Sequence, residues 1–228
     1  MKLVFIHGAG GSGLSFYYQT GCFRDSDAVD LPGHPQGKPC TSIEAYVEWL
    51  HGYIRHRSYR AVVLVGHSMG GAIAQLYALS YPEDLAGLIL VSTGARLRVS
   101  PVVLEACQNA LKDKSTWLKY MEVNLAGVEQ SLRHKLMDRW LEIGPAVQLN
   151  DFMCCDKFDV MDRIKGVKVP TLVITGTFDV TTPVKYASYL ANNIPGATCK
   201  FVEGATHAVL LEKPKECNHL IEEFASEL

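Results

Sequence analysis

Short, fully apolar runs alternate along this chain with longer segments in which apolar residues recur every three or four positions. Runs of the first kind are typical of strands buried on both faces, and the second pattern predicts amphipathic helices. Fully apolar runs lie at residues 3–6 and 61–66, and further strands are predicted at 85–93, 169–175 and 197–204. Because strands alternate with helices, the pattern predicts βαβ units around a mostly parallel sheet, and the fold class is α/β.

The stretch from 98 to 160 departs from this alternation, because it contains helical patterns and no convincing strand. An all-helical insertion of about 60 residues is too small to build a large core of its own. We therefore expect it to lie over the strand ends as a cap. The predicted organisation is a single domain, with a core formed by 1–97 and 161–228 and a cap formed by 98–160.

Composition narrows the classes of protein that this chain can represent. Its 228 residues are 48% hydrophobic and 20% charged, and the net charge of −2 gives no electrostatic reason to expect nucleic acid or anionic membrane as a partner. No apolar stretch approaches the length of a membrane span. The seven cysteines have no repeating or zinc-site spacing, which favours reduced thiols in a cytoplasmic protein without a metal.

The segment LVGHSMGG, residues 64–71, places one serine between two glycines where an apolar strand is followed by a helical pattern. Such a strand–turn–helix context raises Gly-x-Ser-x-Gly above a chance match and predicts that Ser68 is a nucleophile. The turn would lift the hydroxyl above the carboxyl edge of the sheet, at a helix N-terminus that favours developing negative charge. The alternative is a helix-capping serine in a tight turn.

A serine nucleophile needs a base, and the base needs an orienting acid. Among eight histidines, His207 alone lies in a loop just after a predicted strand and downstream of the other core elements. The loop after the preceding strand contains Asp179. Taken singly, these residues could be a satisfied loop histidine and a turn residue, but their order along the chain favours a triad of Ser68, Asp179 and His207.

Five motifs in order then identify a resemblance to the α/β-hydrolase family over nearly all of the chain outside the predicted cap. They are HGAGG (7–11), DLPGH (30–34), GHSMGG (66–71), GTFDVTTP (176–183) and GATHAVLLEKP (204–214). The resemblance implies that Ser68 is the nucleophile, Asp179 the acid and His207 the base. It also implies an oxyanion hole formed by the backbone N–H groups of Ala9 and Met69.

This sequence departs from the family pattern in two respects, which change the expected number of strands and one loop. Family members often begin with two further strands before the HG loop, so we expect a sheet of about six strands, with the strand near 26–30 as an exposed edge. Thr206 stands where the family frequently has glycine, which could tune the loop of His207.

The function expected from these residues is that of a small serine hydrolase that cleaves small carboxylic esters through an acyl-enzyme. No cofactor is expected, because the glycine-rich loop lacks the lysine of a P-loop and the spacing of a dinucleotide fingerprint. The partner would be a small-molecule ester, and the chain would be a monomer or a homodimer. Candidate pocket residues from the cap are Trp117, Tyr120, Met121, Trp140 and Phe152.

Fold and triad do not fix the reaction. The same scaffold serves thioesterases, lactonases, amidases, C–C bond hydrolases, perhydrolase-type haloperoxidases and a few lyases. A different class, a ligand receptor with slow or no turnover, also stays open at this point.

Overall fold

A parallel six-stranded sheet lies at the centre of the described backbone, with strand order β2-β1-β3-β4-β5-β6. The computed structural model describes residues 1–228, with the side chains of Thr116 and Tyr120 excepted. The strands are β1 (Lys2–Ile6), β2 (Ser26–Val29), β3 (Val62–His67), β4 (Leu85–Val91), β5 (Thr171–Gly176) and β6 (Thr198–Val202). The predicted α/β class, the strand number and the position of β2 at an edge of the sheet are confirmed.

Helices cover both faces of this sheet. They are α1 (Tyr17–Cys22), α2 (Ile43–His56), α3 (Met69–Ser80), α4 (Pro101–Ala110), α5 (Ser115–Asn124), α6 (Gln130–Ile143), α7 (Pro145–Lys157), α8 (Val184–Asn193), α9 (Val209–Glu212) and α10 (Pro214–Ser226). Short 3-10 turns occur at Gly13–Phe16, Pro82–Asp84 and Ile164–Gly166. The helix α1 and the 3-10 turn before it were not predicted from the apolar pattern.

Alternation along the strands sorts the core into two layers, since successive side chains of a strand point to opposite faces. Val4 and Leu64 pack with α2, α3 and α8 on one face. Phe5 and Val65 pack with α10 and with the segment around Val209 on the other. Burial on both faces explains why the central strands are apolar throughout.

The helices α4 to α7 form a helical insert between β4 and β5. The chain enters and leaves this insert through two adjacent segments, which pair in antiparallel fashion at Arg96 and Asp159. Backbone bonds from Leu97 N to Phe158 O and from Val160 N to Ala95 O fix the pairing. The two ends of the insert are therefore adjacent. That the insert covers the site as a cap stays a prediction. No helix of the described residues is long and apolar enough to cross a bilayer.

Candidate active site

Ser68 occupies a sharp turn between β3 and α3. Its backbone has φ 53° and ψ −116°, a conformation that costs a non-glycine residue about 1–3 kcal/mol and persists only where surrounding contacts impose it. The Ser68 N–H donates to the Val91 carbonyl at 3.0 Å, and the Thr93 hydroxyl donates to the Ser68 carbonyl at 2.8 Å. The strand β4 and the loop after it therefore hold the turn in place.

Two glycines allow this turn to close. A Cβ added to Gly66 would lie 2.3 Å from the Gly70 carbonyl oxygen, and one added to Gly70 would lie 2.0 Å from the Ile6 carbonyl oxygen. No heavy-atom contact can be that short, so a side chain at either position would force β1, β3 and α3 apart. The Gly-x-Ser-x-Gly pattern is thus a packing requirement at this site.

Asp179 and His207 form a direct pair at the ends of β5 and β6. The Nδ1 atom of His207 lies 2.9 Å from Asp179 Oδ2, which also accepts the Thr182 hydroxyl at 2.8 Å. The other carboxylate oxygen accepts the backbone N–H groups of Thr181 and Thr182, each at 2.9 Å. This environment fixes both the position and the charge of the carboxylate.

The charge of Asp179 follows from competing effects on its pKa. Burial raises the pKa, but the hydrogen bond and charge of His207, together with the bonds from Thr182, outweigh burial and lower it to about 2. The carboxylate is then ionised at neutral pH and can only accept, so the His207 Nδ1 carries the donated proton. The Nε2 atom is left as the nitrogen that can take up a proton.

Ser68 and His207 line the same cavity, as the sequence order predicts. The hydrogen bonds of the described residues do not include one between the Ser68 hydroxyl and His207. Catalytic hydrogen bonds of this kind are often long or poorly aligned until substrate binds. The structure thus joins Asp179 to His207 and places Ser68 and His207 at the same cavity.

The loop that carries His207 is held from two sides. The Nε2 atom of His67 lies 2.9 Å from the His207 carbonyl oxygen, and the two imidazole rings are 4.9 Å apart. Burial, together with the nearby His207, lowers the pKa of His67 to about 4, so His67 is neutral at neutral pH. On the other side, Glu212 accepts the Thr206 N–H at 2.7 Å and the Thr206 hydroxyl at 2.6 Å. The departure from glycine at Thr206 therefore adds a support to this loop.

The glycine-rich loop after β1 borders the cavity through Gly8, Ala9 and Gly11. Among the described residues, no protein acceptor takes up the backbone N–H of Ala9 or that of Met69. The Met69 N–H is at the first position of α3, where helical N–H groups have no intrahelical partner. Both N–H groups are therefore available as hydrogen-bond donors.

A buried carboxylate from the insert holds this loop. Asp151 of α7 accepts the Gly10 N–H at 2.8 Å, the Tyr46 hydroxyl at 2.8 Å and His34 Nε2 at 2.8 Å. The other ring nitrogen of His34 faces the carbonyl oxygens of Leu31 and Pro32 at 3.2 and 3.1 Å. Both ring nitrogens of His34 therefore lie within hydrogen-bonding distance of oxygen atoms. We call Gly10, His34, Tyr46 and Asp151 the Asp151 cluster.

The cavity has a volume of about 140 Å³ and a mostly apolar wall. Of the predicted cap residues, Met121, Trp140 and Phe152 line it, whereas Trp117 lies behind the wall and donates its indole N–H to Gln148. The side chain of Tyr120 lies outside the described residues. Two functional residues were not predicted from the sequence: Gln148, which lines the cavity, and Asp151. Their spacing with Phe152 along α7 places all three on one helical face.

Nothing in the described residues suggests a metal centre, since no group of three or more His, Cys, Asp or Glu side chains could hold an ion. The site is built from a serine, a histidine–carboxylate pair, free backbone donors and an apolar cavity.

Comparisons with known proteins identify the family of this chain. The model of the alpha/beta hydrolase family matches residues 3–220. Pimeloyl-(acyl-carrier protein) methyl ester esterase of Aeromonas hydrophila subsp. hydrophila is 26% identical, over 97% of this chain and 94% of its own. Proline iminopeptidase of Saccharolobus solfataricus is 27% identical, over 96% of this chain and 77% of its own. A solved structure of a thermophilic esterase is 30% identical, with a TM-score of 0.83 over 99% of this chain and 90% of that one.

Proposed function

This chain belongs to the α/β-hydrolase family and is an ester hydrolase, and from that premise we propose that it cleaves small carboxylic esters through an acyl-enzyme on Ser68. The observation that carries the proposal is the hydrogen-bonded pair of His207 and Asp179, whose imidazole borders the same cavity as Ser68. A base oriented by an ionised acid and facing a serine at a helix N-terminus suits nucleophilic attack on a carbonyl carbon.

In the proposed reaction, His207 Nε2 takes the proton of the Ser68 hydroxyl as Oγ attacks the ester carbonyl. Asp179 holds the imidazole tautomer and stabilises its charged form. The N–H groups of Ala9 and Met69 donate to the developing oxyanion. His207 then protonates the leaving alcohol, and the C–O bond breaks to leave the acyl group on Ser68.

Deacylation repeats these steps with water. His207 takes a proton from a water molecule, whose oxygen attacks the acyl carbonyl under the same two backbone donors. Collapse of the tetrahedral intermediate returns the proton to Ser68 Oγ and releases the carboxylic acid.

The lining of the cavity favours esters over the amides of an aminopeptidase. One relative is a proline iminopeptidase, and recognition of a free amino terminus calls for a nearby anion. No aspartate or glutamate is among the described residues that line the cavity. The apolar wall instead suits a neutral acyl or alkyl group.

The proposal extends to the setting in which the enzyme works. Each of the described cysteines is free, which fits a reducing cytoplasm. A small-molecule ester would be the partner, and the enzyme would act as a monomer or a homodimer without a cofactor.

The test replaces the proposed nucleophile. With a short-chain 4-nitrophenyl ester, Ser68→Ala should lower kcat by about 10⁴-fold or more, and Ser80→Ala at the exposed far end of α3 should not change it. A fluorophosphonate probe should label wild type on the peptide that contains Ser68, with circular dichroism confirming that both variants fold. Multiple turnover or labelling that survives Ser68→Ala would refute the assignment, and absence of turnover in wild type would indicate a receptor.

The base is tested separately. His207→Ala should lose nearly as much kcat as Ser68→Ala, because members of a triad act as a unit. It should also slow fluorophosphonate labelling, because Ser68 then lacks its proton acceptor. If His207→Ala retained most of the activity, another residue would have to be the base.

A further inference from the structure

Gln148 presents a polar group to a wall of the cavity that is otherwise mostly apolar. Its side chain is only 3% exposed, and it belongs to the residues that line the cavity with Ser68 and His207. It packs on the glycine-rich loop, since a Cβ added to Gly10 would lie 2.8 Å from Gln148 Cγ. The amide is therefore held beside the loop that supplies the Ala9 donor.

The neighbours of Gln148 fix which way its amide points. The indole N–H of Trp117 can only donate, so the atom that it contacts is the carbonyl oxygen of Gln148. The Cys107 thiol lies on the same oxygen, at 3.9 Å. The amide nitrogen is left on the other side, and the partner that the described residues give it there is the Met121 thioether at 3.7 Å.

A thioether is a weak acceptor, and an amide nitrogen carries two donor hydrogens. A buried donor without a strong acceptor is unfavourable, so a ligand oxygen that reaches Gln148 Nε2 would gain a hydrogen bond that the protein itself does not supply.

The charge of the cavity limits what that oxygen can be. No lysine or arginine is among the described residues that line it. A carboxylate at this place would be buried without a resident cation, which is strongly unfavourable. The oxygen should therefore belong to a neutral group, such as an ether or a ketone.

The chemistry of the proposed reaction decides which half of the ester carries this oxygen. The leaving alcohol must receive a proton from His207, so it lies on the His207 side of the scissile carbon. Gln148 contacts the glycine-rich loop and residues of the insert, and none of its hydrogen bonds reaches the His207 loop among the described residues. The acyl half is the part of the substrate that faces it.

We propose that Gln148 Nε2 donates a hydrogen bond to a neutral oxygen on the acyl group, one or two bonds from the scissile carbonyl. The preferred substrates are then esters of alkoxy- or keto-substituted acids rather than of plain fatty acids. This inference rests on the proposed function, because it assigns a selectivity to the same hydrolytic site.

The test compares two esters that differ by one atom. 4-Nitrophenyl methoxyacetate has an ether oxygen where 4-nitrophenyl butyrate has a methylene, and the two acyl groups have the same number of heavy atoms. The measured quantity is the ratio of their kcat/KM values, divided by the ratio of their hydroxide-catalysed rates to remove the intrinsic reactivity of the ether. In wild type we expect a corrected ratio of about tenfold or more in favour of methoxyacetate.

Two variants remove the donor in different ways. Gln148→Leu replaces the amide with a branched apolar group, and Gln148→Met keeps the length of the side chain; neither variant has a donor at this place. Both should bring the corrected ratio close to one. Phe152→Leu, which changes the cavity wall without touching a donor, should alter both esters together and leave the ratio near its wild-type value.

A wild-type ratio near one would overturn the inference, and so would a high ratio that both variants preserve. Each of these outcomes leaves the proposed function standing if hydrolysis of butyrate still depends on Ser68. Absence of Ser68-dependent hydrolysis of either ester would overturn the proposed function and the inference together. Should both variants fail to fold, the wild-type ratio alone decides.

Discussion

At the scale of single residues, the turn at Ser68 depends on the absence of side chains at Gly66 and Gly70. Without a Cβ at these positions, β1, β3 and α3 approach more closely than any other residue would allow. The clash at Gly70 would be with the backbone of β1, which cannot rotate away as a flexible side chain can. The position of Ser68 is therefore set by close backbone packing as much as by its own φ and ψ.

We expect Gly70→Ala to lower the free energy of unfolding by about 3 kcal/mol or more, because the added methyl group overlaps the Ile6 carbonyl. Gly52→Ala is the matched control, since Gly52 lies on the exposed side of α2 with no atom within 4 Å of the added Cβ. That change should raise stability by about 0.5–1 kcal/mol through helix propensity. Urea denaturation of both variants measures the difference, and equal effects would contradict this account.

Another single residue, His7, makes stability depend on pH. Burial, with the nearby His34, lowers the pKa of His7 from 6.5 to about 3. Between these values the unfolded chain binds a proton at this position and the folded chain does not, so the free energy of unfolding rises with pH. Asp179 also makes the free energy of unfolding rise with pH, but in a lower pH range. Its contribution to stability is lost as the pH falls from 3.8 toward about 2.

The expected slope from His7 is about 1.4 kcal/mol per pH unit between roughly pH 4 and 6. His7→Gln removes the titrating group, so the slope of its unfolding free energy against pH should be smaller in that range by about 1.4 kcal/mol per pH unit. This holds even if the variant is less stable overall. Urea denaturation at several pH values gives both slopes. Parallel curves for the two proteins would show that His7 does not titrate differently on folding.

At the scale of elements, one buried cluster joins the insert to the core, and the apolar pattern of the sequence did not predict it. The Asp151 cluster ties α7 of the insert to α2 and to the glycine-rich loop through hydrogen bonds that are wholly buried. Because Asp151 faces three donors, it acts on several elements at once. The insert is thus fastened to the core beside Ala9.

We expect Asp151→Ala to lower the free energy of unfolding by about 3 kcal/mol or more, because it leaves Gly10, His34 and Tyr46 buried without the oxygen atoms that they contact. Tyr46→Phe, which removes one hydroxyl from the same carboxylate, should cost only about 1 kcal/mol. The comparison is made by urea denaturation of the two variants. A small effect of Asp151→Ala would mean that the cluster does not hold the insert.

The apolar pattern predicted the elements well where local sequence decides them. The strand pattern at 61–66 gave β3 to within one residue at each end, and the helical pattern at 41–57 gave α2 within two, because burial on one or both faces leaves a direct trace in the sequence. The short α1 has no such trace: only Gln19 of its six residues is buried.

The candidate site was predictable only in part, for the same reason. Ser68 and His207 lie in loops after strands, and the carboxyl ends of parallel strands share one edge of the sheet. Gln148 and Asp151 lie on a helix of the insert, and which face of that helix meets the core depends on tertiary packing. From the sequence alone, these two polar residues look like part of a solvent-exposed helix face, and only the packing of α7 shows that they are buried.

For the whole molecule, the size of the cavity between sheet edge and insert limits the substrate. A volume of about 140 Å³ is close to that of a cavity that admits benzene. In a series of 4-nitrophenyl esters, kcat/KM should therefore be highest for acyl groups of up to about six carbon atoms and should fall steeply beyond that length. A maximum at long acyl chains would show that the insert opens far more than the structure indicates.

The division of the site between distant parts of the chain has a consequence for how the enzyme matures. Ser68 precedes the insert, whereas Asp179 and His207 follow it, in the loops after β5 and β6. A nascent chain that has emerged only through β4 contains Ser68 without His207, its proposed base. Reaction of Ser68 with organophosphorus reagents should thus appear only after β5 and β6 have joined the sheet, so its onset would report when the sheet is complete.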